Sequence, residues 1–296
     1  MDSNLIVARF GQLKQHGMAE AAADLLMMPV QMRPSLETVL TKLIETEARH
    51  REDRKTARLL KGAKLFCKPL IEDVICSTAR NLTKETLEAV AECGFIRRGE
   101  NLLIIAKTGC GKTYLACAIG HQACRLGLKV LYLGMNHFVH QLKSAIAQGM
   151  TEDLFERLNK IDLLIFDDFG LHHIDESTRL ALLTLLEDRY EKKSVIITSQ
   201  LPFDKWYDYI GQTTVADAIL DRIQHTSHLI RLEGESLRKR KRKLEPTNQG
   251  APVTTVKQKD KTTGRGHSLT TLTTPIRYRY HRTAMSGTVS PLRMVP

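Results

Sequence analysis

An α/β fold, with a parallel sheet covered by helices on both faces, is predicted by two observations. Five short, nearly continuous apolar runs at 102–105, 130–133, 163–166, 195–197 and 229–232 read as strands buried on both sides. Helix-compatible segments at 112–126, 136–148, 177–190 and 215–224 fill the gaps, and strands alternating with helices imply parallel neighbours joined by crossovers. With 296 residues, 42% hydrophobic and 26% charged, the chain has room for about two domains and a true core.

The helical segments before the first strand lie at 5–26 and 36–66. In the second, Leu36, Val39, Leu40, Leu43 and Ile44 recur at helical spacing behind Ser35, which is placed as N-cap after Pro34, so one apolar face is expected. The stretch 45–58 follows, nine of its 14 residues charged, with Arg49, Arg51, Arg54, Lys55 and Arg58 among them. Here the helix is expected to leave the core as a solvated, mixed-charge surface whose carboxylates cancel much of the field. The chain therefore divides into a helical segment over 1–70, an α/β domain over 71–243 and a tail over 244–296. The tail lacks apolar periodicity and is expected to be disordered.

Charge is concentrated at one end. The formal net charge is +11, yet residues 236–296 hold 14 Lys/Arg against 2 Asp/Glu, leaving 30 basic and 31 acidic groups for the other 235. A basic tail of this kind points to electrostatic attachment to nucleic acid, with an anionic membrane or a merely solvated segment as alternatives. No apolar run reaches the roughly 20 residues that span a bilayer, and Met1-Asp2-Ser3-Asn4 opens no secretory signal, so a cytoplasmic location without a membrane partner is expected. Six cysteines, at 67, 76, 93, 110, 117 and 124, include no C-x-x-C pair and read as reduced structural thiols rather than metal ligands.

The chemistry begins where the first strand runs into Ala106-Lys107-Thr108-Gly109-Cys110-Gly111-Lys112-Thr113 with a helix directly behind it. This is a phosphate-binding loop in its expected context. Residues Lys107, Thr108, Gly109, Cys110, Gly111, Lys112, Thr113 and Tyr114 are the candidate nucleotide contacts. Glycines let backbone N–H groups face the phosphates, Lys112 supplies a cation, and Thr113 offers a hydroxyl to Mg²⁺ at the positive helix end. The strict pattern wants glycine at 106, where alanine is tolerable only if φ is negative. The strand 163–166 ends in Asp167-Asp168, 54 residues beyond Thr113, the form of a Walker B motif. Asp167 is the expected Mg²⁺ ligand, and Asp168 the general base that polarises the attacking water.

On these residues the chain resembles the IstB-like transposition helper ATPases of insertion sequences, AAA+ proteins close to the bacterial replicative helicase loader. The resemblance runs from about residue 5 to Lys243. It rests on Gly109-x-Gly111-Lys112-Thr113, Asp167-Asp168-Phe169-Gly170, Arg189-Tyr190, Thr198-Ser199-Gln200-Leu201-Pro202-Phe203 with Trp206, Leu220-Asp221-Arg222 and Gly234-Glu235-Ser236-Leu237-Arg238. It implies an AAA+ core with a five-stranded parallel sheet, an N-terminal domain that docks on a partner or DNA, and ATP with Mg²⁺ as cofactors. It also implies that Gln200 acts as sensor 1, between γ-phosphate and attacking water, and that Arg222 reaches a neighbouring subunit's nucleotide as a finger. Arg238 is either a sensor 2-like group or the start of the basic tail.

Three departures from the family pattern, Ala106, Asp168 in place of the usual Glu, and Gln200, all fall in the ATP site. Shortening the base moves its carboxylate by about an ångström, a misplacement worth roughly 10²-fold in rate. The activity implied is thus slow, DNA- and oligomer-stimulated ATP hydrolysis, in a protein that binds double-stranded DNA and delivers it to the transposase of the same element. The alternatives are a replicative helicase loader or a nucleotide-binding DNA scaffold with little hydrolysis. A small-molecule kinase fits poorly, since nothing resembles an acceptor-binding lid.

Overall fold

The computed structural model describes residues 3–237; the run 238–243, Arg238 included, and the tail 244–296 lie outside the described residues. Five strands, β1 (Asn101–Ala106), β2 (Val130–Gly134), β3 (Leu163–Phe169), β4 (Ser194–Ser199) and β5 (Ser227–Leu232), form one sheet in the order β2-β3-β4-β1-β5. Every pairing is parallel, with Leu102 opposite Ile196 and His228, and Leu133 opposite Phe166. The period of two sorts β1 to β4 between two cores, whereas the run 229–232, expected to be buried on both sides, lies at the sheet edge as β5 and buries only Ile230 and Leu232, leaving Leu229 (44%) and Arg231 exposed. Leu102, Ile104, Leu163, Ile165 and Ile196 face one side; Leu103, Ile105, Leu164, Phe166 and Ile197 face the other.

Eleven helices surround the sheet among the described residues. Before β1 come α1 (Ser3–Gln12), α2 (His16–Met27), α3 (Leu36–Ala63), α4 (Lys84–Ala91) and α5 (Gly94–Arg97). The crossover helices are α6 (Lys112–Arg125) after β1, α7 (Met135–Gln148) and α8 (Thr151–Asn159) after β2, and α9 (Glu176–Arg189) after β3. After β4 follow α10 (Trp206–Ile210) and α11 (Thr213–Gln224). The first core holds α6, α4 and the end of α3; the second holds α7 to α11. Cys117 and Cys124 are buried on α6, where desolvation pushes their thiols up to about 12 and about 11, and all six cysteines are free. No helix among the described residues is long and apolar enough to cross a membrane.

The N-terminal helices depart from the periodicity reading in two ways. The helical stretch 5–26 is broken into α1 and α2 around Lys14, which takes a left-handed backbone (φ 59°). More consequentially, the apolar face at the start of α3 is not covered: Leu36 is 75% exposed, Leu40 50% and Ile44 61%. The short helix α2 packs on the middle of α3, where Gly17 comes so close that a Cβ there would lie 2.5 Å from the Thr46 carbonyl oxygen. Glu47 pins this crossing by accepting from the backbone amides of Gly17 (2.8 Å) and Met18 (3.3 Å). Burial raises the Glu47 pKa, but Arg51 at 2.7 Å and those amides outweigh it and hold the carboxyl below its usual range. The end of α3 does not leave the core. Leu59 and Leu60 pack against it and Ala63 is fully buried.

Candidate functional site

Parallel strands end together, and the sequence-predicted residues collect at the carboxyl ends of three adjacent ones, β3, β4 and β1, where open α/β sheets bind ligands. The phosphate loop leaves β1 at Lys107. Ala106 is the last residue of that strand, paired with Leu232 and outside the left-handed region, so the position needs no glycine. Gly109 (φ 86°) and Gly111 (φ 92°) do need theirs. At Gly109 a Cβ would also stand 2.2 Å from the Ser236 hydroxyl oxygen.

Contacts from distant segments hold this loop from outside. The Leu237 amide donates to Gly109 O (3.0 Å), the Arg80 guanidinium donates to Cys110 O (2.8 Å), and the Cys110 thiol donates to Gly234 O (3.3 Å). The Cys110 amide closes back on Lys107 O (3.3 Å), and the loop leads into the N-terminus of α6, the helix end that attracts an anion. Lys112 opens α6 and is 6% exposed, its ammonium 3.4 Å from Lys107 O across the loop. Thr108 donates its hydroxyl to Gln200 Oε1 (2.5 Å), which brings Gln200 from the end of β4 onto the loop. Lys107 is exposed and Tyr114 half-buried against the first core.

Asp167, the end of the apolar run of β3, is 3% exposed and accepts three hydroxyls. Thr113 lies 2.9 and 3.1 Å from its two oxygens, Tyr132 donates to Oδ2 (2.5 Å), and Thr198 donates to Oδ1. Burial, and then the neighbouring Asp167 carboxylate, push the Tyr132 phenol well above its ordinary value. A hydroxyl and a carboxylate held together at the start of α6 are hard oxygen donors, which fit Mg²⁺. Among the described residues no cluster of three or more His, Cys, Asp or Glu could hold a metal alone, so a cation here would depend on nucleotide oxygens as well.

Asp168 is turned away from its neighbour by the backbone. It sits at φ 59° in a register shift between Phe166 and Phe169, half-buried, with its amide donating to the Thr198 hydroxyl oxygen (3.2 Å). One threonine thus touches both aspartates. Arg222 on α11 lies elsewhere: its guanidinium reaches Glu187 of α9 (2.9 Å) and Ala218 O (3.0 Å), and no contact with the phosphate loop accompanies these. Arg189, in the resemblance motif, is 1% exposed and donates to the carbonyls of Leu158, Ile161, Asp162 and Ser194, so its task is to bind α8, β3 and β4 together.

Tyr132, Thr198 and Arg80 had no assigned role in the sequence. Tyr132 carries a weak signal, as a single hydroxyl inside an otherwise apolar strand, and Thr198 a weaker one, since β4 also holds Ser194 and Ser199. Arg80 carries none, because its partner lies 30 residues away.

The fold and this site define a P-loop nucleotide-binding protein with the fold of AAA+ proteins. Its fold is shared with AMPPCP-bound DnaA from Aquifex aeolicus, at a TM-score of 0.50 and 23% identity over 61% of this chain and 56% of that one. The profile of the IstB-like ATP binding protein family matches residues 8–245, and the chain belongs to that family. A relative from Sinorhizobium fredii, named as an insertion sequence ATP-binding protein, is 41% identical over 227 residues, 77% of this chain and 93% of its own. The insertion sequence IS1162 ATP-binding protein of Pseudomonas fluorescens is 37% identical over 197 residues, 66% of this chain and 85% of its own.

Proposed function

We propose that this chain hydrolyses ATP slowly, binds double-stranded DNA, and assists transposition in the cytoplasm by delivering target DNA to the transposase encoded by the same element. The observation that carries the reading is the joining of Thr113, Asp167, Thr108 and Gln200 at the carboxyl ends of adjacent strands. Loop amides and Lys112 would bind the phosphates. Mg²⁺ held by Thr113 and Asp167 would supply neutralising charge at the β- and γ-phosphate oxygens. Asp168 would accept the proton of the attacking water at its carboxylate, and Gln200, with Oε1 taken by Thr108, would orient that water through its Nε2 donors. Hydrolysis is assigned to an assembly of several copies, with Arg222 leaving Glu187 to complete a neighbour's site. The helical segment 1–70 would dock on DNA or a partner, ahead of the ATPase domain 71–243.

Phosphate release by the full chain, with and without duplex DNA, tests the reading. Slow basal release stimulated by DNA is expected, and lost in Lys112→Ala. Release no greater than that of the Lys112→Ala control under both conditions would leave a nucleotide-binding scaffold and end the enzymatic assignment. For the delivery step, capture of the transposase by this chain is expected to require ATP and DNA together.

A further inference from the structure

The charged half of α3 is solvated and of mixed charge, but its charges are not evenly mixed around the helix. Arg51, Arg54, Lys55, Arg58 and Lys61 are spaced three and four apart and are all exposed. At about 100° per residue they fall within roughly 120° of one another. Leu60 and Ala63, which face the core, point to the opposite side, and Leu59 borders that side. Of the nearby acids, Glu52 lies about 60° beyond Lys55 and Asp53 about 80° beyond Lys61, while Glu47, which falls within the stripe, is buried and taken up by Arg51 and by the amides of Gly17 and Met18. Among the described residues Arg51 pairs with Glu47, while Arg54, Lys55, Arg58 and Lys61 make no ion pair. The cancellation expected from composition is incomplete there, because Glu52 and Asp53 lie beyond the edges of the stripe and Glu47 is buried and already engaged by Arg51.

The stripe is a local feature rather than a share of a general excess, since the 235 residues before the basic tail hold 30 basic against 31 acidic groups. It continues beyond the helix. The Lys55 ammonium lies 3.2 Å from where a Cβ on Gly127 would stand, in the turn between α6 and β2, and Lys129 is exposed two residues further on. From residue 51 to 61 a helix rises about 15 Å. Duplex DNA carries one phosphate charge per about 1.7 Å of axis, so that length faces about nine phosphates, roughly half of them on the near side. Four unpaired cations match that number.

From this we infer that the outer face of α3, centred on Arg54 and Arg58, is a docking surface for the phosphate backbone of duplex DNA, separate from the ATP site. The inference rests on the DNA binding proposed above and names the surface that performs it. Lacking base-reading geometry, the stripe contributes affinity and orientation rather than sequence preference.

The test uses the full chain and a fluorescent duplex of about 30 base pairs, with binding followed by anisotropy between about 50 and 200 mM salt. Each phosphate contact contributes about 0.9 to the slope of log affinity against log salt, so Arg54→Ala/Lys55→Ala/Arg58→Ala/Lys61→Ala should lower that slope by about 2 to 4. Alanine is the strongest helix former and these side chains face solvent, so α3 should persist. The milder Arg54→Gln/Arg58→Gln, expected to lower the slope by up to about 1.8, guards against a folding defect. Affinity for a fluorescent ATP analogue should be unchanged in both. If wild type binds DNA and neither variant changes the slope, the surface is wrong while DNA binding stands. If wild type binds no DNA, both readings fall. Loss of binding to phosphatidylserine vesicles with an unchanged DNA slope would make the stripe a membrane contact and overturn the inference.

Discussion

At Asp168 a strained backbone coincides with the proposed general base, and three substitutions separate stability from turnover. Its backbone is left-handed (φ 59°), held there by the register shift after Phe166, by its amide on Thr198, and by the turn that follows at Gly170 (φ 86°). For an L-residue that conformation costs about 1–2 kcal/mol, less for Asp and Asn, and nothing for Gly. Gly gives back about 0.5–1 kcal/mol through its looser unfolded chain. Asp168→Gly should therefore be more stable than Asp168→Ala by about 1 kcal/mol, or about 2–4 °C in Tm for a domain of this size. Asp168→Asn should stay near wild type in stability.

All three lack the carboxylate proposed to take the water's proton, so phosphate release should fall about 10²-fold or more while ATP affinity is kept. Thermal unfolding without nucleotide, beside single-turnover phosphate release, reads both quantities. An Asp168→Ala protein as stable as Asp168→Gly would refute the backbone argument. Asp168→Asn hydrolysing at the wild-type rate would remove Asp168 from the chemistry.

Lys112→Ala should abolish binding of a fluorescent ATP analogue, since the buried cation beside the loop is lost; unchanged affinity would place the phosphates elsewhere. Arg222→Ala and Lys112→Ala should each be nearly inactive alone, and mixing them should restore part of the hydrolysis by pairing an intact loop with an intact finger. An Arg222→Ala protein that hydrolyses normally would refute the shared site. Glu100 is bound by two N–H groups of Arg98 (2.7 and 2.8 Å) and by His228 (2.8 Å), and these partners hold its carboxyl down to about 2. The folded state there binds fewer protons than the unfolded one, so the stabilisation is complete above the ordinary value of 4.5 and is lost as pH falls toward 2. Glu100→Gln should start less stable at neutral pH and lose stability less steeply across that window; a parallel pH–stability curve would show the pair contributes nothing.

What the sequence determined by itself is whatever is written in neighbouring residues. Apolar runs locate the five strands; for β1, β3 and β4 they do so because a strand buried on both faces tolerates few polar side chains, while the exposure of one face of β5 follows from its place at the sheet edge. Positive φ at Gly109 and Gly111, Lys112 at the start of α6, and Asp167 at the end of an apolar strand are each local requirements that a motif can record. Tertiary structure alone decided the rest. The exposure of Leu36, Leu40 and Ile44 depends on which helix packs across α3 and where, and periodicity shows a face without showing its cover. The left-handed turn at Asp168 follows from the strand register with β4, and the hydroxyls of Tyr132 and Thr198 come to Asp167 only because β2 and β4 flank β3. Arg80 and Ser236 meet the phosphate loop from opposite ends of the domain. Contacts of that kind join residues 30 to 130 positions apart, and no local pattern encodes them because the sheet order sets which distant segments become neighbours.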